Sequence, residues 1–389
     1  MMPLQEARGL TTVMFAVRPC RVPWPRRFCR SLTSYSPKVY AYPFKLSSAQ
    51  AVAQLDPIVG GSFLRPELQM QKIVPVYFPA WFIDAEVEAS VLAGPTALGA
   101  KEGRVTVIFN NSYLPGHTMS KLSSISLLSK QLERSRPIPF SPALGNQYDT
   151  EVTCLPFKTT PFAILDAVKS LRPDDCVWNN LRIDPSSIHT NLISAYPVLM
   201  PLYLAQYASA EDGTRKSMTL TAIVEANHEH GRIIVENFID PDVASVLPAW
   251  MLPDLDEFRY HGAGAANFAN ISTLTLPPEW NAPEFGSVAN WLDTFLTAET
   301  LQELVDTDAG KMDDLRIRPF NDEEATSVRT FFRLGEERAE AHTFLNESGA
   351  NPLQEVKDYT ASFDTHRENA LPKWWKDWQK SVTEKTKPT

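Results

Sequence analysis

Two stretches of the chain carry one proline pattern. Pro75-Val76-Tyr77-Phe78-Pro79-Ala80-Trp81-Phe82 aligns with Pro197-Val198-Leu199-Met200-Pro201-Leu202-Tyr203-Leu204 at a constant offset of 122 residues. The shared form is Pro-Val-x-x-Pro-x-aromatic-apolar. Proline has no N–H to give a ladder, so two of them in an apolar strand restrict where that strand can sit. The pattern predicts an edge position or a bulged start, repeated in two half-units. Each half-unit reads as helix, strand, strand.

The surrounding periodicities agree with that outline. Ser47-Ser48 predicts a helix through Leu55. Strands are predicted at Ile73–Ser90, Arg104–Asn110, Ala195–Ala208, Ser217–Ala226 and Arg232–Phe238. Thr159-Thr160-Pro161 starts a helix to Leu171. Residues 111–150 are rich in Ser, Pro and Gly and read as a loop insertion with a short helix near Leu127. Beyond Leu247 the prolines and small residues of 251–282, including Gly262-Ala263-Gly264, predict an irregular linker. Residues 283–389 read as an acidic helical extension. Val288, Trp291, Leu292, Phe295 and Leu296 make one amphipathic stripe, Asn321 caps a second helix, and Asn351-Pro352 opens a third. The fold class expected is α+β: an antiparallel sheet domain over 39–250 built from two half-repeats, followed by the helices.

Charge divides the chain in the same places. The whole carries −9, but residues 1–38 carry +6, leaving −4 on 39–250 and −11 on 251–389. An Arg-rich, acid-poor N-terminus containing Ser and Thr is the pattern of a mitochondrial transit peptide. Arg26-Arg27-Phe28 before Cys29 fits a matrix-processing site. The acidic remainder argues against nucleic acid as a partner. No segment reaches the ~18–20 apolar residues of a membrane-spanning helix. The most apolar runs, Ile73–Ile83 and Ile193–Ala210, read as buried strands. Cys154 and Cys176, outside the leader, lack the spacing of a zinc ribbon or a disulfide framework.

The stretch Val76-Tyr77-Phe78-Pro79-Ala80-Trp81-Phe82-Ile83-Asp84 resembles the "VYVPFWLFDA" signature of bacterial zinc-ribbon-containing proteins of unknown function. Tyr42-Pro43-Phe44-Lys45-Leu46-Ser47 is similar to the "PFKIS" start of that family's helix. Asn227-His228-Glu229-His230-Gly231-Arg232 looks like its terminal hairpin. The resemblance covers residues 42–236 and implies packing residues rather than a catalytic set. The zinc ribbon is absent here. The chain as a whole resembles uncharacterised mitochondrial proteins of fungi.

Candidate chemistry is sparse. His228 and His230 with Glu225 could hold a metal, but the resemblance puts them in a hairpin turn where Gly231 supplies a positive φ. No metal or cofactor is therefore expected. Asp84, Glu86 and Glu88 alternate along one strand face, either solvated or set for acid–base or cation chemistry. His117 sits in the insertion. No nucleophile elbow, zincin, P-loop or kinase motif occurs. The C-terminal Lys373-Trp374-Trp375-Lys376-Asp377-Trp378-Gln379-Lys380 forms an aromatic helix face with a lysine rim. Such a face suits a protein groove, a membrane surface or the protein's own core.

Two functional expectations follow. The first is a non-enzymatic mitochondrial interaction or assembly protein of the matrix or the matrix side of the inner membrane. It would dock a protein partner, or make peripheral membrane contact, through Trp374, Trp375, Trp378, Lys373, Lys376 and Lys380. The second is a small-molecule-binding protein or enzyme. It predicts a pocket between the half-repeats, lined by Tyr77, Trp81, Asp84, Glu86, Tyr203 and Tyr207, with His117 nearby.

Overall fold

The computed structural model describes residues 36–59, 68–93, 101–118, 120–123, 125–129, 132, 135–172, 174, 176–178, 181–209, 219–236, 258–261, 312–347 and 354–385. The leader before Ser36, the stripe at 288–296, the glycine run at 262–264 and the Asn351-Pro352 cap lie outside these residues. Lys38, assigned by sequence to the leader, belongs to the folded body. Its Nζ donates to the carbonyls of Met312 (2.8 Å) and Asp314 (3.1 Å).

Two long strands form the spine. β2 (Leu68–Ala93) and β10 (His189–Ser209) pair antiparallel along nearly their whole length. β3 (Lys101–Pro115) returns beside β2, and β11 (Thr219–Glu225), β12 (Ile233–Glu236) and β13 (Phe258–His261) extend the sheet beyond β10. β13 replaces part of the irregular linker expected at 251–282. Shorter pieces complete the 11-stranded sheet, which is mostly antiparallel. Two of them pair parallel: β1 (Tyr40–Ala41) with β10, and β7 (Thr153–Cys154) with β2.

The proline-bearing strands are central, not edge strands. Backbone polarity explains how the ladder survives. The carbonyls of Tyr77 and Pro79 bond outward to Leu155 N (3.0 Å) and Gly116 N (2.9 Å), and those of Leu199 and Pro201 to Tyr42 N (3.1 Å) and Ala226 N (2.9 Å). In a strand, a residue's N–H and C=O point the same way and alternate along the chain. All four proline nitrogens therefore face away from the β2–β10 ladder. Three of them sit where the outer flank changes partner. Pro79 lies between β7 and β3, Pro201 lies between β1 and β11, and Pro197 lies between the Ala195–Ile317 bridge and β1.

Both faces of the spine are buried, which is why its strands read as continuous apolar runs rather than alternating ones. One face carries Tyr77, Trp81, Leu199 and Tyr203 and packs against Phe44, Phe157 and the helix α1 (Ser48–Val59) through Ala51 and Leu55. The other carries Val76, Phe78, Phe82, Val198 and Met200 and is covered by Leu122, Ile125 and Leu127 from the 111–150 segment. That segment is less loop-like than expected. β3 runs on to Pro115, and the short helix α2 falls at Ser120–Ser123 rather than at Leu127. β4 (Ile138–Pro139), β5 (Asn146–Gln147) and β6 (Thr150–Glu151) follow it.

The helix starts carry local reasons. Ser47 N donates to Gln50 Oε1 (2.9 Å) and Gln50 N to Ser47 Oγ (3.3 Å), a capping box before α1. α3 spans Ala163–Lys169, shorter than the expected helix, because residues 161–162 form a turn ahead of it. β8 (Val177–Trp178) and β9 (Leu181–Ile183) then lead to β10, and β9 pairs the far end of β2. Glu324 N donates to Asn321 Oδ1 (2.9 Å), the predicted cap of α4 (Asp322–Glu347). α5 (Gln354–Ala370) and α6 (Lys373–Lys385) complete the helical part.

Equivalent bonds recur along the two similar segments. Trp81 Nε1 donates to Thr159 O and Tyr203 Oη to Leu46 O, both at 2.9 Å. Lys158 N donates to Gly116 O (2.8 Å) and Lys45 N to Ala226 O (2.6 Å). Leu155-Pro156-Phe157-Lys158 thus occupies on β2 the place that Tyr42-Pro43-Phe44-Lys45 occupies on β10.

Candidate functional site

The expected pocket between the two segments is filled. Phe44 meets both Tyr77 and Tyr203 edge-on, at ring-centroid distances of 5.2 and 5.3 Å. Phe140 caps Tyr77 at 6.0 Å and Phe157 packs on Trp81 at 4.8 Å. Tyr77, Trp81, Tyr203 and Tyr207 are core side chains, no more than 3% exposed. Burial raises the Tyr207 phenol to about 12. Asp84, Glu86 and His117 do not join them.

Asp84 and Glu86 instead form a buried polar seam beneath the C-terminal helices. A bulge makes the seam possible: Ile83 faces Ser112 and Ala85 faces Phe109, so Asp84 meets two residues of β3. Asn111 takes the left-handed conformation there (φ 51°), which asparagine tolerates. Its N–H donates to Asp84 Oδ1 at 2.6 Å. Tyr196 Oη donates to Oδ2 at 3.1 Å and receives the Ser194 hydroxyl at 3.0 Å. Burial raises the Asp84 pKa against the pull of these two bonds and the Arg329 charge. Glu86 accepts from Asn191 Nδ2 (2.7 Å) and is ion-paired with Arg367 of α5. Phe331 of α4 stacks on that guanidinium, 4.4 Å from ring centroid to Cζ. Gly335 lets α4 approach, because a Cβ there would lie 2.9 Å from Glu86 Oε2. Only Glu88 of the alternating carboxylates reaches solvent, where it pairs with Arg104 at 3.2 Å.

Glu225 is taken by a partner that sequence reasoning did not consider. Arg232 Nε donates to Glu225 Oε1 at 3.1 Å, and both side chains are 3% exposed. Arg232 also donates to the Ser126 carbonyl, tying the β11–β12 hairpin to the segment that covers the sheet. His228 and His230 stay in the turn, with rings 6.4 Å apart. Gly231 is not in the left-handed region. It is required by space: a Cβ there would sit 1.6 Å from the Glu225 carbonyl oxygen. Among the described residues no group of three or more His, Cys, Asp or Glu is placed to hold a metal ion. His117 is buried on the Phe78 side of the sheet. Desolvation, aided by the Lys158 charge, lowers its pKa to about 3.

The tryptophan helix folds onto the protein's own core. Trp374 is 8% exposed and Trp375 1%, so the face expected to dock on a partner or membrane is covered. Trp378 is half-buried and stacks on Trp375 at 4.6 Å. Arg316 lies between Phe162 (3.7 Å) and Trp378 (4.5 Å), and Arg318 lies over Trp374 (5.6 Å). Lys373 and Lys380 are exposed and Lys376 is half-buried. Beside this stack α3, the start of β10 and α6 enclose a cleft of about 410 Å³. No helix of the described residues is long and apolar enough to cross a membrane.

No family model, curated protein or solved structure matches the chain. What the site can do follows from its geometry. That geometry offers packed carboxylate pairs and one aromatic-lined cleft.

Proposed function

We propose that the chain is a non-enzymatic interaction or assembly protein of the mitochondrial matrix or the matrix side of the inner membrane. One observation carries the reading. The buried carboxylates that could do chemistry are tied into structure: Asp84 to Asn111 and Tyr196, Glu86 to Asn191 and Arg367, Glu225 to Arg232. The basic leader supports the compartment. With the tryptophan face packed inward, partner contact falls to the outer surfaces of the acidic helices α4 and α5.

The same reading takes the sheet as two half-repeats, each helix–strand–strand. The recurring bonds of Trp81 and Tyr203, and of Lys158 and Lys45, support it. In that reading each half lends its Pro-Phe-Lys arm to the other's long strand.

Import of the full chain into isolated mitochondria tests the proposal, followed by protease protection and capture of the tagged mature form. A protected, shortened chain that elutes with a partner at fixed stoichiometry is expected. A chain left outside the organelle, or one that always elutes alone, overturns it.

A further inference from the structure

The cleft beside the tryptophan helix has the make-up of a ligand site. Its volume of about 410 Å³ lies within the ~300–1,000 Å³ of small-molecule pockets. Phe162, Leu165, Ile193, Trp375 and Trp378 supply apolar and aromatic wall. The polar lining holds the cations Arg316 and Lys169, the carboxylate Asp166 and the imidazole of His189.

The cations are incompletely used. Arg316 gives Nε (3.0 Å) and Nη2 (2.7 Å) to Asp314, and this pairing holds the Asp314 pKa below its ordinary value despite burial. Its Nη1 makes no hydrogen bond among the described residues. Lys169 makes neither an ion pair nor a hydrogen bond among them. The guanidinium is held rigidly between two aromatic rings, so it presents a donor at little further entropic cost.

We propose that this cleft binds a small organic anion with an apolar body, its acid group held by Arg316 and Lys169. Leu165, Ile193 and the ring edges of Phe162 and Trp378 receive the body. The site is independent of the partner surface proposed above, because it rests on different residues. Both an aromatic acid and a short fatty acid have this chemistry.

Titration of the full chain with 1-anilinonaphthalene-8-sulfonate, followed by calorimetry and tryptophan emission, tests the site. One saturable site is expected. N-phenyl-1-naphthylamine, the same rings without the sulfonate, should bind at least about tenfold more weakly, as should the sulfonate to Lys169→Glu. Thr190→Trp, which fills the cleft, should abolish binding while thermal unfolding stays cooperative, and it keeps the test decisive if Lys169→Glu fails to fold. Displacement by benzoate or by octanoate separates the two sources. Absence of a saturable site, equal affinity for the uncharged rings, or binding unchanged in the folded variants overturns the proposal.

Discussion

Phe78 and Met200 face each other across the central ladder, and they are also corresponding residues of the two proline-patterned segments. The segments therefore pair antiparallel about their own midpoint. The short-strand contact of one recurs, reversed, on the other. Pro75 and Pro79 bracket the contact with β7 as Pro197 and Pro201 bracket the contact with β1.

That correspondence can be measured. Tyr203→Phe removes one buried hydrogen bond, to Leu46 O, and should cost about 1 kcal/mol in urea unfolding. Trp81→Phe loses the matching bond to Thr159 O together with ring volume, and should cost more. The two rings have separate partners, so the double variant should be additive to within about 0.5 kcal/mol.

Arg367 holds α5 to the sheet through a carboxylate that is 1% exposed. Arg367→Met leaves Glu86 charged and buried, and should cost about 3–5 kcal/mol. Adding Glu86→Met should restore most of that stability, because an apolar pair needs no counter-charge. A double-mutant cycle in denaturant checks both values.

His117 should make the fold acid-sensitive. Its folded pKa of about 3 lies below the ordinary 6.5, so the unfolded chain takes up a proton that the fold refuses. The stability it contributes is complete above pH 6.5 and is lost as pH falls toward 3. The slope is about 1.4 kcal/mol per pH unit in the steep part. His117→Asn should flatten this dependence, read from unfolding midpoints across that range. Asparagine already stands at the corresponding position, Asn227, where it is buried after β11.

Gly231→Ala should be among the most damaging single changes. The added methyl meets backbone, not a flexible side chain, so the hairpin must open. A loss of roughly 3 kcal/mol or more is expected, with the Glu225–Arg232 pair disturbed in the same step. Thermal unfolding beside Glu229→Ala, an exposed residue of the same turn, separates this steric cause from a general effect of the turn.

The spine of the fold was legible because apolar runs and prolines are local signals. Ile73–Ser90 and Ala195–Ala208 fall inside the observed β2 and β10, and the Asn321 cap is where the sequence placed it. The place of those strands was misread, because proline forbids a ladder bond only on the side its nitrogen faces. Which side that is depends on register, which sequence does not carry. The second Pro-Phe-Lys run, Pro156-Phe157-Lys158, was visible but lay beyond the aligned segments. The Asn110-Asn111 pair was the available hint of the bulge that receives Asp84. The tryptophan face was ambiguous for a physical reason: an amphipathic stripe states that it will be covered, not by what. The pairing of Glu86 with Arg367 follows from long-range packing with no sequence spacing of its own, and that of Glu225 with Arg232 follows from the register of the β11–β12 hairpin.

The pairing of β1 with β10 sets an order of events during synthesis. β1 pairs with β10 through Tyr40 and Val198, 158 residues apart in the chain. At about 5–20 residues per second, roughly ten to thirty seconds of synthesis separate the two strands. Until β10 emerges, β2 lacks its central neighbour. An apolar strand of 26 residues with open edges is a target for aggregation.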